Sequence, residues 1–239
     1  MKQLVEPQII HLIKIASQDF INKLCVMSIN DTGDMFYPEY ERYGVMISGD
    51  IIQVYIERVF DGLACSENVD EYLQRNRNIT NTIFHTRLLD YMLQLDEQKI
   101  QYLIKTASQD FIERLCVMSI DDIKDDSVVE YERYGVIIPQ DSLWLYIVRW
   151  LDRMRRLDDT EEYVERNRNR KTKLFTTSLC TFMEQLQEDV IEELIQTGSS
   201  DFLHKWFVTE GVKDNSRKGY EQYGIILKDK NLQKYNRGF

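Results

Sequence analysis

The chain has 239 residues, 43% of them apolar, with three prolines and ten glycines; that supports a packed core and excludes a largely disordered chain. Thirty basic against forty acidic side chains give a net charge of −10 at pH 7, which disfavours general phosphate-backbone binding and favours basic protein partners. No run approaches the roughly 18 uncharged apolar residues of a membrane span, and Pro7, His11 and Lys14 interrupt the stretch where a signal peptide would need its apolar core, so a cytoplasmic protein is expected.

In chain order the first expected element is a helix starting near Pro7, with Ile9, Ile10, Leu12 and Ile13 supplying its apolar face. Ser17 then reads as the N-cap of a second helix, with Asp19 in its first turn, where free N–H groups favour a carboxylate. The segment Leu12 to Ile29, LIKIASQDFINKLCVMSI, returns at Leu103 to Ile120 as LIKTASQDFIERLCVMSI. Asp19, Asp110 and Asp201, each followed by Phe, stand 91 residues apart (110 − 19 and 201 − 110). The fold expected is therefore all-α, a tandem helical repeat of about 91 residues with at most trivial β structure: full copies over 1–96 and 97–187, and a partial copy over 188–239 acting as a C-terminal cap.

Next come acidic loops and the motif YERYGV at Tyr40 to Val45 and Tyr131 to Val136. A helical turn ending at Tyr43, with the following glycine in a left-handed C-cap, is expected there. The triplets VMI, VII and IIL that follow read as extended connectors or tiny strands. Asp50 and Asp141 are expected to cap a helix whose buried stripe is Ile52, Tyr55, Ile56, Val59 and Leu63, then Leu143, Tyr146, Ile147, Trp150 and Met154. The last segment has apolar spacing at Ile83, Phe84, Leu88 and Met92, after a middle, QRNRNITNT, polar enough to predict an exposed helix or a break.

Cys25 and Cys116 share a repeat position inside apolar runs, which suits buried reduced thiols better than a disulfide frame. His11, His85 and His204 have no cysteine or carboxylate at a zinc spacing, and the acidic loops lack the alternating pattern and central glycine of a calcium loop. No Gly-rich phosphate loop, nucleophile elbow or HExxH occurs, so no cofactor, metal or catalytic residue is expected. The arginines of RNRN (Arg75 to Asn78, Arg166 to Asn169) are read as forming structural ion pairs, one reaching a carboxylate such as Glu41 or Glu132. Trp144, Trp206 and Phe207 are further candidates for anchoring a contact.

The expected function is a non-enzymatic helical-repeat protein that binds a macromolecular partner, a protein, through acidic loops. Its candidate binding residues are Asp31 and Asp34, then Asp121, Asp122, Asp125 and Asp126, with Arg166 and Arg168 in the basic run RNRNRKTK. The alternative is an acidic inhibitor of the antitoxin, immunity or anti-defence kind, covering a basic nuclease or DNA-binding protein or imitating phosphates. A third is an enzyme whose site spans both copies. Partner identity and oligomeric state are not legible at this level.

Overall fold

The computed structural model describes residues 4–27, 44–123, 133–209, 224–227 and 235. Among the described residues are twelve α-helices and six strands of two or three residues, so the chain is mostly helical. None of those helices is long and apolar enough to cross a membrane. The chain divides into two compact units, 1–137 and 138–239.

The first unit holds α1 (Glu6–Ile15), α2 (Gln18–Leu24), β1 (Cys25–Val26), β2 (Val45–Met46), α3 (Ile52–Ala64), α4 (Val69–Arg75), α5 (Thr82–Leu93), α6 (Glu97–Thr106), α7 (Gln109–Leu115), β3 (Cys116–Val117) and β4 (Val136–Ile137). The second holds α8 (Gln140–Met154), α9 (Thr160–Arg166), α10 (Lys173–Glu184), α11 (Glu188–Thr197), α12 (Ser200–Trp206), β5 (Phe207–Thr209) and β6 (Ile225–Leu227). Each strand pair is parallel, with Cys25 opposite Val45, Cys116 opposite Val136 and Phe207 opposite Ile225. The β-branched triplets are thus small strands closing onto the end of the preceding helix.

Local chemistry explains the helix starts. Ser17, Ser108 and Ser199 each accept a hydrogen bond from the backbone N–H of the phenylalanine three residues on, at 3.1–3.2 Å, the geometry of an N-cap. The stripe on α3 is buried at Tyr55, Ile56, Val59 and Leu63, and that on α8 at all five expected positions. In the second unit Trp150 is the centre of an aromatic cluster, its ring centroid 5.7 Å from Tyr163, 5.5 Å from Phe175 and 5.8 Å from Trp206. Trp206 and Phe207 are core residues rather than surface anchors.

Several local expectations are corrected. Asp50 and Asp141 are not caps: the N-cap positions are Ile51 and Pro139, and Asp141 lies inside the first turn of α8. Gly135 is not left-handed. It is required by close approach, because a Cβ there would lie 2.8 Å from the Ile123 side chain and 3.0 Å from that of Val117. Ile83 is 55% exposed although Phe84, Leu88 and Met92 are buried. The Tyr43 turn lies outside the described residues.

The polar segment RNRN is a break between helices, and its asparagines go inside, while Arg75 and Arg166 are exposed and Arg77 and Arg168 half-buried. Asn76, Asn78, Asn167 and Asn169 are all buried. Asn78 Nδ2 donates to the carbonyl of Cys25 at 2.9 Å and to the Tyr55 hydroxyl at 2.7 Å, while the Met27 N–H donates to Asn78 Oδ1 at 3.0 Å. One side chain therefore ties β1, the next residue and α3 to the turn after α4, satisfying groups that burial would otherwise leave unpaired. In the second unit Asn167 and Asn169 donate from Nδ2 to the Tyr146 hydroxyl, at 3.2 and 3.0 Å. Arg75 pairs with Glu71 on its own helix; Glu41 and Glu132 lie outside the described residues.

The recurrent aspartate also does more than favour its own helix. The Val69 N–H, at the start of α4, donates to Asp110 Oδ2 at 2.7 Å, and Arg114 holds Asp110 at 2.9 Å. In the second unit Asp201 Oδ2 accepts from the Thr160 N–H at 2.8 Å and its hydroxyl at 2.7 Å, with Lys205 at 2.9 Å. Burial pushes the Asp201 carboxyl up, but the bonds from Lys205 and Thr160 outweigh it and hold its pKa below the ordinary carboxylate value. A depressed folded pKa stabilises above the unfolded pKa, and that contribution is lost as pH falls through the folded value. The stability difference between wild type and Asp201→Asn, measured by urea unfolding across acidic pH, is thus expected to be constant near neutrality and to shrink below the ordinary carboxylate range. A difference that grows on acidification contradicts this arrangement.

Ser142, fully buried in the first turn of α8, has no hydrogen-bond partner for its hydroxyl. Ser142→Ala should leave stability unchanged or raise it by up to about 1 kcal/mol, because removing an unsatisfied polar group relieves its desolvation cost. A measured loss larger than that would mean the hydroxyl is bonded.

Candidate functional site

The most distinctive surface feature of the described residues is an apolar groove in the second unit, about 430 Å³ in volume, walled by α8, α10 and α11. Trp144, Val148 and Leu151 of α8 form one side, Phe182 of α10 another, and Val190 and Leu194 of α11 the third. The Trp144 and Phe182 rings meet at 5.1 Å, yet Trp144 remains 43% exposed and Val148 47%. Val190, 37% exposed, completes this partly exposed apolar lining.

Gln53, Glu57 and Lys99 precede Trp144, Val148 and Val190 by 91 residues. Trp144 and Val148 correspond there to Gln53 and Glu57, which are exposed and bonded to each other, Gln53 Nε2 to Glu57 Oε1 at 3.0 Å. Val190 corresponds to Lys99, whose ammonium lies 3.5 Å from Asp61 and 5.7 Å from the centroid of the Tyr102 ring. Polar and charged side chains therefore close the surface of the first unit where the second opens a groove. Trp144, Val148 and Val190 stand where Gln53, Glu57 and Lys99 stand 91 residues earlier, and Trp144 packs on Phe182.

One cation, Arg155, lines the groove, and its side chain is only 12% exposed. It binds Asp152 at 2.7 Å and approaches Glu193 at 3.5 Å, and it also donates to the Thr197 hydroxyl. Burial raises the Asp152 pKa, but hydrogen bonds from Arg155 and Arg156 bring it below the ordinary carboxylate value. Of the acids of α11, Glu193 lines the groove, where it faces Arg155.

Of the residues singled out in the sequence, Trp144 belongs to this groove. Asp121 and Asp122 sit in a 3-10 turn over Ile120–Asp122, where Asp122 Oδ2 accepts from the Ser119 N–H at 2.9 Å. That gives Asp122 a structural part and leaves Asp121 exposed. Asp31, Asp34, Asp125 and Asp126 lie outside the described residues. Arg166 ends α9 and Arg168 begins the 3-10 turn Arg168–Lys171, either side of buried Asn167; neither lines the groove. Missed from the sequence were Val148, Phe182 and Val190; comparing residues at an offset of 91 contains the signal for Val148 and Val190, opposite Glu57 and Lys99, but not for Phe182, opposite Tyr91.

Among the other chemistry-bearing groups, Cys65 and His11 are exposed, while Cys25 and His85 have structural surroundings. Cys25 is buried, which pushes its thiol up to about 12 and leaves it unreactive at neutral pH. His85 is held between the Ile79 carbonyl and the Tyr134 hydroxyl. Among the described residues no group of three His, Cys, Asp or Glu side chains is placed to hold a metal ion. Comparison with protein-family models, curated proteins and solved structures finds no match.

Proposed function

We propose that the chain is a tandem array of helical units of about 91 residues, two full and one partial, that binds a protein partner without catalysing a reaction. The observation carrying this reading is the groove of the second unit, apolar where the matching positions of the first are Gln53, Glu57 and Lys99. A repeated frame on which one surface departs from its counterpart is the usual way such arrays carry recognition. The exposed acids, Asp121 and the run on α11 among them, add electrostatic steering toward a basic partner.

The test uses the chain's own alternative residues. The double variant Trp144→Gln, Val148→Glu places at the groove the pair found at 53 and 57; it should fold, losing about 1–2 kcal/mol with the Trp144–Phe182 contact. Used as baits in parallel, wild type should retain a partner that the variant loses, with retention weakened by salt. Equal retention by both baits would put recognition elsewhere on the chain. An inhibitor of a basic nuclease or DNA-binding protein is the special case in which that partner is such a protein and loses its activity on binding.

A further inference from the structure

We propose that a face of α1 and α2, formed by Ile15, Ser17, Asp19 and Phe20, docks a helical partner protein through the turn between two of its helices. That turn presents a helix-end carbonyl and, five residues on, the first N–H of the next helix. The face belongs to the first unit and is independent of the groove.

The chain makes this joint twice. Within the first unit the Ser108 N–H donates to the carbonyl of Ala64, the last residue of α3, at 2.7 Å. Asp110 Oδ2 accepts from the Val69 N–H, the first of α4, at 2.7 Å, and Phe111 packs on Phe60 of α3 with ring centroids 5.8 Å apart. Within the second unit the Ser199 N–H donates to the Arg155 carbonyl, at the end of α8, at 2.7 Å. Asp201 Oδ2 accepts from the Thr160 N–H, the first of α9, at 2.8 Å, and Trp206 packs on Trp150. Carbonyl and N–H are five residues apart in both (69 − 64 and 160 − 155). In both, one aspartate oxygen holds the cation four residues on, Arg114 or Lys205, and the other takes the helix start.

Ser17, Asp19 and Phe20 stand 91 residues before Ser108, Asp110 and Phe111. Asp19 Oδ1 holds Lys23 at 2.8 Å in the same way, while Asp19 Oδ2 and the Ser17 N–H have no partner among the described residues. The Asp19 side chain is 65% exposed, and Phe20 is half-buried where Phe111 and Phe202 are fully buried. Ile15 is 66% exposed at the position that Thr106 and Thr197 hold later in the chain. A face of a stacked helical unit that meets only water is ordinarily polar. This one keeps isoleucine and phenylalanine beside the donor and acceptor of an unfilled joint.

The donor and acceptor set the class of occupant. A helix end leaves carbonyls unused by its own helix and a helix start leaves N–H groups, so the turn between two helices offers both at the spacing this joint takes. A phosphate group offers acceptors alone and would meet Asp19 as a like charge. A second copy of the chain has its own turns of this kind, Ala64 to Val69 and Arg155 to Thr160, already engaged. The occupant is therefore a different protein.

The experiment extends the full chain at its start with a further copy of residues 6–96, joined directly to Glu6. The added Ala64 and Val69 then lie as far along the chain from Ser17 and Asp19 as the natural ones lie from Ser108 and Asp110. A second extended chain carries residues 97–187 instead. Far-ultraviolet circular dichroism reads the helix gained, and urea unfolding reads the midpoint. Both added units should add helix. Asp19→Ala, nearly silent in the natural chain, should lower the midpoint of the extended chains as far as Asp110→Ala does. Added helix with Asp19→Ala still silent would overturn the joint, and so would the absence of added helix in both extended chains. In sedimentation the natural chain should not associate through this face. A dimer that Ile15→Lys dissociates would make the occupant a second copy and overturn its assignment to a different protein.

Discussion

Asn78→Ala should cost the protein about 3–5 kcal/mol, among the largest effects of any single polar substitution in the first unit. The alanine leaves the Cys25 carbonyl, the Met27 N–H and the Tyr55 hydroxyl each short of a partner that Asn78 now supplies within 3.0 Å. Water cannot easily replace it, because Asn78 and Tyr55 are fully buried. In urea unfolding followed by far-ultraviolet circular dichroism, the midpoint should fall while the slope stays the same. Arg75→Ala, three residues earlier, removes an exposed pair with Glu71 on the same helix and should change stability by less than about 0.5 kcal/mol. If the arginine proves more costly than the asparagine, the assignment of the motif to the interior is wrong.

Asp110→Ala should lose about 2–4 kcal/mol, whereas Asp19→Ala, the same residue type in an almost identical segment, should lose less than about 0.5. Asp110 is 6% exposed; it caps the Val69 N–H and binds Arg114, which also holds Asp70 at 2.7 Å. The Asp19 side chain is 65% exposed and paired with Lys23 on its own helix. Removing Asp110 leaves the Val69 N–H uncapped and Arg114 with Asp70 alone, while an exposed pair returns to water at little cost. Asp110→Asn keeps an acceptor for the Val69 N–H and should fall between the two. Equal losses at positions 19 and 110 would show that the aspartate acts through its own helix alone.

These two contrasts also mark how far the sequence could be read. Helix starts at Ser17, Ser108 and Ser199 and the buried stripes of α3 and α8 depend on residues within a few positions of each other, and they were legible. The burial of Asn78 was not, because its partners, Cys25 and Tyr55, are 53 and 23 residues away (78 − 25 and 78 − 55). A polar run then looks the same whether its side chains face water or one another. Asp110 was legible as a helix-start acid but not as a cap on α4, for the same reason. The groove stood halfway. Its residues come from three helices, which no local pattern joins, yet the exchange of Gln53, Glu57 and Lys99 for Trp144, Val148 and Val190 is written in the sequence at one offset.

The most direct test of the account is site-specific photo-crosslinking in a lysate of the native host, with a photoreactive side chain placed at position 148 in one sample and at position 57 in another. Both positions are exposed and helical, so both report on whatever lies against their face. The account predicts a crosslink from position 148 to a single partner, absent from position 57. The same product from both positions, or none from 148, would contradict it.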